Sequence, residues 1–381
     1  MDNALLFEAI ASAIVGTPIS KNLITDSELE KLFNTSKAHD LAHLVGYSLD
    51  KNKLLGDGEF SDQFKKQVYI SIYRYQRGNH ETDAICDLLE DEGIDHIPLK
   101  GARTKGFYPQ PWMRTSGDVD VLVKQEDLDR AVDALVKKRN YSIIKKNYHD
   151  VSLISENDIL LELHFSIREN MKSIDFLLDK VWDNSFLTDG KKHSFEQSPE
   201  FFIFHNIAHN SYHFTHGGCG IRPFIDLYLI KKNISCNEDI LRGFLSQCGL
   251  EKFYDYSCLL CDIWFDGKAH TETTKQMEDY ILRGGVYGSF ENGISAQQVI
   301  NGGKLKSIMS TVVIPYDVLR AQFPIIEKHK YLTPVMQVAR WFKVAFNGRA
   351  AKKITCISKL DKNEAKITKE MITNIGLIDQ K

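Results

Sequence analysis

Two aspartates, Asp118 and Asp120, stand two positions apart in the apolar stretch Asp-Val-Asp-Val-Leu-Val. Residues i and i+2 of a strand point to the same face, so we expect both carboxylates to project together while the valines enter a core. Two neighbouring carboxylates repel each other, and a divalent cation relieves that repulsion. Because hard oxygen ligands suit Mg²⁺ bound together with phosphates, the pair predicts metal-dependent phosphate chemistry.

A third carboxylate, Glu162, lies in the apolar run Ile-Leu-Leu-Glu-Leu-His-Phe. Alternation places Glu162 and His164 on one face of a predicted strand. If this strand pairs beside the first, Glu162 joins the same centre, which then suits two metal ions and a nucleoside triphosphate. His164 either orients Glu162, contacts the substrate or packs on that face.

The segment before the aspartates supplies groups that suit phosphate. A Lys100-Gly101 turn opens a predicted helix, and Arg114 lies four residues before Asp118. The backbone N–H groups of a helix N-terminus and the N–H groups of a guanidinium both donate hydrogen bonds to phosphate oxygens. Arg114 is therefore interpreted either as a phosphate ligand or as a loop arginine that is exposed or paired to an aspartate.

Together these residues resemble the bacterial uncharacterised nucleotidyltransferase family of the DNA polymerase β superfamily. The resemblance rests on Lys100-Gly101, Tyr108-Pro109, Arg114, the run from Asp118 to Val123, and Glu162 to His164, and extends weakly over most of the chain, including a segment near 311–342. One departure is visible at the turn, because the superfamily usually has Gly-Ser where this chain has Gly101-Ala102. The hydroxyl expected to touch the triphosphate is therefore missing from that position.

The resemblance implies an α+β fold in which a small mixed sheet is flanked by N-terminal helices and a C-terminal helical domain. It implies a nucleoside triphosphate donor and two Mg²⁺ ions, with Mn²⁺ as a substitute. The implied metal-binding and catalytic residues are Asp118, Asp120 and Glu162, and the implied phosphate-binding residues are Lys100, Gly101 and Arg114.

Composition excludes several other classes of protein. The 381 residues are 43% hydrophobic and 26% charged, with a net charge of −3. A slightly acidic protein is not expected to bind nucleic acid through a broad basic surface, so a tRNA-type acceptor is the one nucleic-acid partner left open. The seven cysteines are scattered and odd in number, which favours a location in the reducing cytoplasm. No apolar run approaches the length of a membrane span, so no membrane partner is expected.

Four regions are predicted along the chain. The first 93 residues have mostly helical apolar spacing. Because this block shows no convergent cluster of polar groups, we expect it to support or cover the active site, with a ligand contact from His39, His43 or Tyr73 as the alternative. The predicted regions are an N-terminal helical region at 1–93, a catalytic α/β core at 94–170, a C-terminal helical domain forming the other side of the cleft at 171–356, and a polar, Lys-rich tail at 357–381.

Polar residues also mark the predicted C-terminal helices. His205, His209 and His213 recur every four residues, with His216 just beyond, so they form one stripe of a helix. The stripe is predicted to line the cleft, where His209 contacts a nucleotide or acceptor. A zinc site is the alternative, although the usual metalloprotease pattern of a third ligand and a general-base Glu is absent.

Arg222 and Asp226 are one helical turn apart in an apolar segment. A polar group in such a helix needs a partner, so the two residues are predicted either to form an ion pair or to leave Asp226 as a general base that deprotonates the acceptor.

The sequence thus predicts a metal-dependent nucleotidyltransferase. It moves a nucleoside monophosphate from a triphosphate to an unidentified acceptor hydroxyl, or another nucleophile, and releases pyrophosphate. Two alternatives stay open: a nucleotide-binding regulatory protein with a degenerate site, suggested by the missing serine, and a metal-dependent hydrolase that uses the histidine stripe.

Overall fold

The computed structural model describes residues 3–286, 288–300, 313–314, 316–346 and 362–378. Within these ranges, helices precede and follow a five-stranded mixed sheet, as the α+β prediction requires. The predicted division into four regions stays a prediction. Residues 347–361 and 379–381, which belong to its last two regions, lie outside the described ranges, as do 311, 312 and 315 of the segment near 311–342.

The chain begins with four helices. They are α1 (Ala4–Ile14), α2 (Asp26–Ala38), α3 (Ala42–Lys51) and α4 (Glu59–Asp91). Thr25 and Glu28 form a capping box that stabilises the start of α2. The 33-residue α4 is long enough to pass the end of the sheet and still pack on it.

The sheet has the order β1-β2-β5-β4-β3, in which β2 and β5 are parallel and the other pairs are antiparallel. Its apolar face includes Val119, Val121 and Val123, which pack in one core with Ile85 and Leu89 of α4. The strands are β1 (His96–Pro98), β2 (Asp118–Val123), β3 (Ser142–Lys146), β4 (Asp150–Ile154) and β5 (Leu160–His164), with α5 (Gly101–Thr104) after β1 and α6 (Leu128–Arg139) after β2.

The remainder of the described chain is mostly helical. Its helices are α7 (Lys172–Leu178), α8 (Pro199–His216), α9 (Arg222–Asn233), α10 (Glu238–Gln247), α11 (Glu251–Asp266), α12 (Glu272–Gly284), α13 (Phe290–Ile300), α14 (Tyr316–Gln322), α15 (Ile325–Lys328), α16 (Thr333–Phe346) and α17 (Lys362–Asn374). One hairpin, β6 (Ser185–Leu187) and β7 (Phe195–Gln197), interrupts the predicted helices. Strands of three residues are too short to show a hydrophobic period, which is why the sequence did not reveal them.

The described part of the predicted tail, residues 362–378, packs on the core. The described part forms α17, and Met371, Ile372, Ile375 and Leu377 are buried in the main core with residues of α12 and α13. The apolar residues are few, so the mean composition hides them. Met371 and Ile372 lie in the last turn of α17, and Ile375 and Leu377 follow its end. The described part of this segment therefore packs on the core, and the separate tail region at 357–381 stays a prediction.

Candidate active site

The carboxylates meet where β2 and β5 run side by side. The parallel register pairs Asp120 with Glu162 and Asp118 with Leu160. Partners in a ladder share a face, so the strand neighbourhood expected from the sequence is present. Ligand atoms of Asp120, Glu162 and His164 all lie within 4.8 Å of one another, and Asp118 precedes them on the same face of β2.

The three acids have unequal pKa values. Burial, then the negative charge of Asp120, raises the pKa of Asp118. Burial and the charges of Asp120 and Asp118 likewise raise the pKa of Glu162. Burial also opposes ionisation of Asp120, but the hydrogen bond and charge of His164, together with the charges of Lys100 and His209, outweigh it and lower the pKa of Asp120. The cluster therefore holds mutual repulsion that a bound cation would relieve.

His164 is tied to the acids. Its Nε2 lies 3.0 Å from Asp120 Oδ1 and 3.6 Å from Glu162 Oε2. Its ring also stacks on His149, with centroids 5.6 Å apart and planes 22° apart. Among the roles predicted for His164, this geometry favours orientation of the carboxylates.

A cavity of about 610 Å³ opens beside the aspartates. The sheet contributes Asp118 and Asp120 to its wall, and the turn after β1 contributes Gly101. The volume is typical of a site for a small molecule of nucleotide size.

Helix α4 forms the side of the cavity that the sequence did not predict. Arg74, Arg77, Gly78 and Asn79 all line it. The expectation that the N-terminal block lacks a convergent polar cluster is therefore wrong. The polar run around these residues resembles an ordinary solvated face, and the available signal was two arginines three positions apart followed by a glycine in a helix interior.

A hydroxyl is present at the turn despite the missing serine. A Cβ built on Gly101 would lie 3.6 Å from the Oγ of Ser116, and that hydroxyl donates a hydrogen bond of 3.2 Å to Asp118 Oδ1. The loop before β2 thus places its own serine against the glycine. Sequence inspection missed Ser116, although it stands only two residues before Asp118.

Lys100 lies among the acids. Burial lowers the pKa of its ammonium group, while the nearby charges of Glu169 and Asp120 favour the protonated form. The described wall of the cavity includes Gly101 but not Lys100. Contact between Lys100 and phosphate therefore stays a prediction.

Arg114 is paired to a buried aspartate, which was one of its two interpretations. Its Nε lies 3.0 Å and 3.1 Å from the two carboxylate oxygens of Asp226, and its second terminal nitrogen lies 3.0 Å from Oδ2. The hydroxyl of Tyr108 donates to the same carboxylate at 2.7 Å. The other terminal nitrogen donates to the carbonyl of Thr115 at 2.8 Å, and the guanidinium still borders the cavity.

The predicted Arg222–Asp226 ion pair is wrong. Arg222 instead pairs with Asp40, whose carboxylate also accepts a hydrogen bond of 2.9 Å from Thr115. Helical spacing permits the predicted pair, but the loop before β2 offers Asp226 a guanidinium that reaches both of its oxygens. The sequence could not show this, because Arg114 is 112 residues away from Asp226.

The histidines of the stripe contact neighbouring groups of the protein. His205 bonds to Gln197 at 3.0 Å, and His209 Nδ1 lies 2.6 Å from Glu169 Oε1. The His213 ring lies 4.3 Å from that of His209, and His216 Nδ1 donates to the Tyr212 carbonyl at 2.8 Å. In the described ranges the stripe supplies no group of three metal donors, so the zinc alternative has no site there.

Comparison with known proteins decides the class of this chain. A family model described as "Uncharacterised nucleotidyltransferase" matches residues 25–266. The chain belongs to this family. The matched region contains α2 to α11, hence the whole sheet, α4, and the carboxylates of the candidate site. Membership makes the protein an enzyme of the nucleotidyl-transferring class, with a nucleoside triphosphate as the implied substrate.

A solved structure and a negative result complete the comparison. The crystal structure of an antigenic nucleotidyltransferase-like protein from Paracoccidioides brasiliensis matches with a TM-score of 0.32 and 16% identity, over 51% of this chain and 95% of that one. Among the curated proteins compared, none matches. Over the described residues, no helix has both the length and the apolar character needed to cross a membrane.

Proposed function

We propose that this protein transfers a nucleoside monophosphate from a triphosphate to an acceptor nucleophile and releases pyrophosphate. The observation that supports this most strongly is the parallel register of β2 and β5, which sets Asp120 beside Glu162 at the edge of a nucleotide-sized cavity. Membership in the nucleotidyltransferase family supports the general reaction. The acceptor and the preferred base are not part of the proposal.

The acidic cluster fits a divalent cation. Its donors are carboxylate oxygens, the ligand type that Mg²⁺ and Mn²⁺ take, and two of its three pKa values are raised by burial and like charge. We assign Asp118, Asp120 and Glu162 as the residues that would hold the metal. When bound, the metal ions supply positive charge that stabilises the entering and departing oxygens.

The protein's own groups prepare the reacting atoms. The hydrogen bond from His164 keeps Asp120 ionised and oriented. We assign the Ser116 hydroxyl and the Gly101 backbone to one phosphate of the donor, with Lys100 and Arg114 adding positive charge nearby. The acceptor oxygen then bonds to the α-phosphorus, the bond to the pyrophosphate oxygen breaks, and the proton of the acceptor hydroxyl passes to water.

Neither alternative function gains support from a specific observation. The regulatory reading depended on the missing serine, and Ser116 brings a hydroxyl to the same glycine. The hydrolase reading required a histidine metal site, which the described part of the stripe lacks.

Slow hydrolysis of α-labelled triphosphate tests the proposal without a known acceptor, because water then replaces the acceptor. We expect Mg²⁺-dependent release of nucleoside monophosphate and pyrophosphate, reduced about a hundredfold or more in Asp120→Asn through loss of transition-state charge stabilisation. Asp133→Asn, an exposed acid on α6, is the matched control and should retain full activity. Full activity of Asp120→Asn would refute the assignment.

A further inference from the structure

Several cations around the cavity lack a carboxylate partner. Arg222 and Arg114 are paired with Asp40 and Asp226. Among the described residues, Arg74, Arg77 and Lys105 form no ion pair, although all three line the cavity; we call them the basic wall.

The contacts of the basic wall are with uncharged groups. Lys105 Nζ donates to Asn79 Oδ1 at 2.6 Å. Arg77 donates to the backbone carbonyl of Asn157, and its guanidinium lies 5.4 Å from the centre of the Tyr73 ring. Arg74 is exposed. The contacts of Lys105 and Arg77 position these side chains without neutralising them. The charges of the basic wall therefore remain in the cavity, which Lys37 also lines, and an anion stabilises such an arrangement.

Gly78 is a second and independent sign of a ligand. It lies inside the 33-residue α4, where glycine costs roughly 1 kcal/mol relative to alanine. A Cβ at this position would meet no atom within 4 Å, so packing does not require the glycine, and its φ is not positive. Gly78 nevertheless lines the cavity, where the absence of a side chain leaves room for a ligand against the helix.

We propose that the basic wall binds a phosphoryl group of a substrate. Guanidinium groups offer paired donors that match phosphate oxygens, and an ammonium adds a point charge. The phosphoryl group is either the terminal phosphate of the nucleotide or a phosphate carried by the acceptor. The inference rests on the proposed function, because Asp118 and Asp120 line the same cavity.

The test compares two double variants of α4. Arg74→Gln/Arg77→Gln removes both arginines of the basic wall but keeps long side chains that favour helix. Lys65→Gln/Lys66→Gln removes two charges from the same helix outside the cavity and is the matched control. Circular dichroism and the melting temperature check that both variants are folded, as we expect.

Binding measurements then show whether the phosphoryl group comes from the nucleotide or from the acceptor. The ligands are nucleoside mono-, di- and triphosphate with Mg²⁺, and inorganic phosphate. If the phosphoryl group belongs to the nucleotide, Arg74→Gln/Arg77→Gln, the wall variant, binds the triphosphate about tenfold or more weakly than the control does. Its affinity for the monophosphate is then unchanged. If it belongs to the acceptor, triphosphate binding is unchanged, and inorganic phosphate binds the nucleotide-saturated wild type but not the wall variant.

Inorganic tripolyphosphate without Mg²⁺ separates this inference from the proposed function. A wild type that binds tripolyphosphate through the wall, yet binds no triphosphate with Mg²⁺, would refute the proposed function alone. Equal binding of every phosphate ligand by the wall variant and the control would overturn the inference. Gly78→Gln provides a further check, since it should weaken phosphate binding without lowering the melting temperature.

Discussion

At the scale of single residues, the proposed site separates the carboxylates that we assign to the metal from a histidine that positions one of them. Asp118, Asp120 and Glu162 present oxygens to the cavity or to each other, whereas His164 acts through Asp120. The sequence predicted which residues share a face, because alternation along a strand is a local property. It could not predict the unequal pKa values, which depend on burial and on neighbours from other elements.

The pairing of Asp226 leads to a prediction that separates structure from catalysis. Asp226→Asn would leave the buried Arg114 guanidinium without its counter-charge, so we expect a loss of about 3 kcal/mol in the free energy of unfolding. Urea unfolding measures this loss. Tyr108→Phe is the control, because it removes one hydrogen bond to the same carboxylate and should cost about 1 kcal/mol.

A general base would behave differently at this position. If Asp226→Asn kept wild-type stability while losing turnover, Asp226 would act on the acceptor, and the account of a structural ion pair would be wrong.

At the scale of elements, strands and helices with a clear period were predictable, and surfaces made by distant segments were not. The alternation in β2 and β5 predicted the correct faces, whereas their pairing was only assumed from the sequence and is present in the structure. The cavity wall on α4 escaped prediction because it forms only where the helix passes the sheet. The same holds for Ser116, whose position against Gly101 depends on how the intervening loop folds.

The buried face of α17 carries a prediction of its own. Ile372 is fully buried in the main core, so Ile372→Ala should lower the free energy of unfolding by about 2–4 kcal/mol through lost burial and the cavity left behind. Lys369→Ala changes an exposed residue of the same helix and should have almost no effect. Thermal melting compares the two, and equal melting temperatures would mean that the segment is the polar tail first expected.

At the scale of the whole molecule, the buried histidines make stability depend on pH. Burial lowers the pKa of His43 to about 4, although its hydrogen bond to the Met113 carbonyl opposes the shift. Since the unfolded chain binds this proton more readily than the folded one, stability falls as pH drops below about 6.5. One such histidine lowers the free energy of unfolding by about 2 kcal/mol as the pH falls from about 6.5 to about 5.

Melting temperatures measured from pH 8 to 5 test this dependence. The wild type should lose stability towards pH 5, and His43→Gln should lose less, because one buried group no longer resists protonation. His80→Gln, on the exposed surface of α4, should follow the wild type. A His43→Gln curve parallel to that of the wild type would contradict the assignment.

The central claim is that Asp118, Asp120 and Glu162 bind a triphosphate through a divalent metal. Thermal unfolding with ATP, GTP, CTP and UTP, each with and without Mg²⁺, tests it most directly, because a ligand that binds the native state raises the melting temperature. We predict a Mg²⁺-dependent rise with at least one triphosphate in the wild type and in Asp133→Asn, and no such rise in Asp120→Asn. An equal rise in all three proteins would contradict the claim.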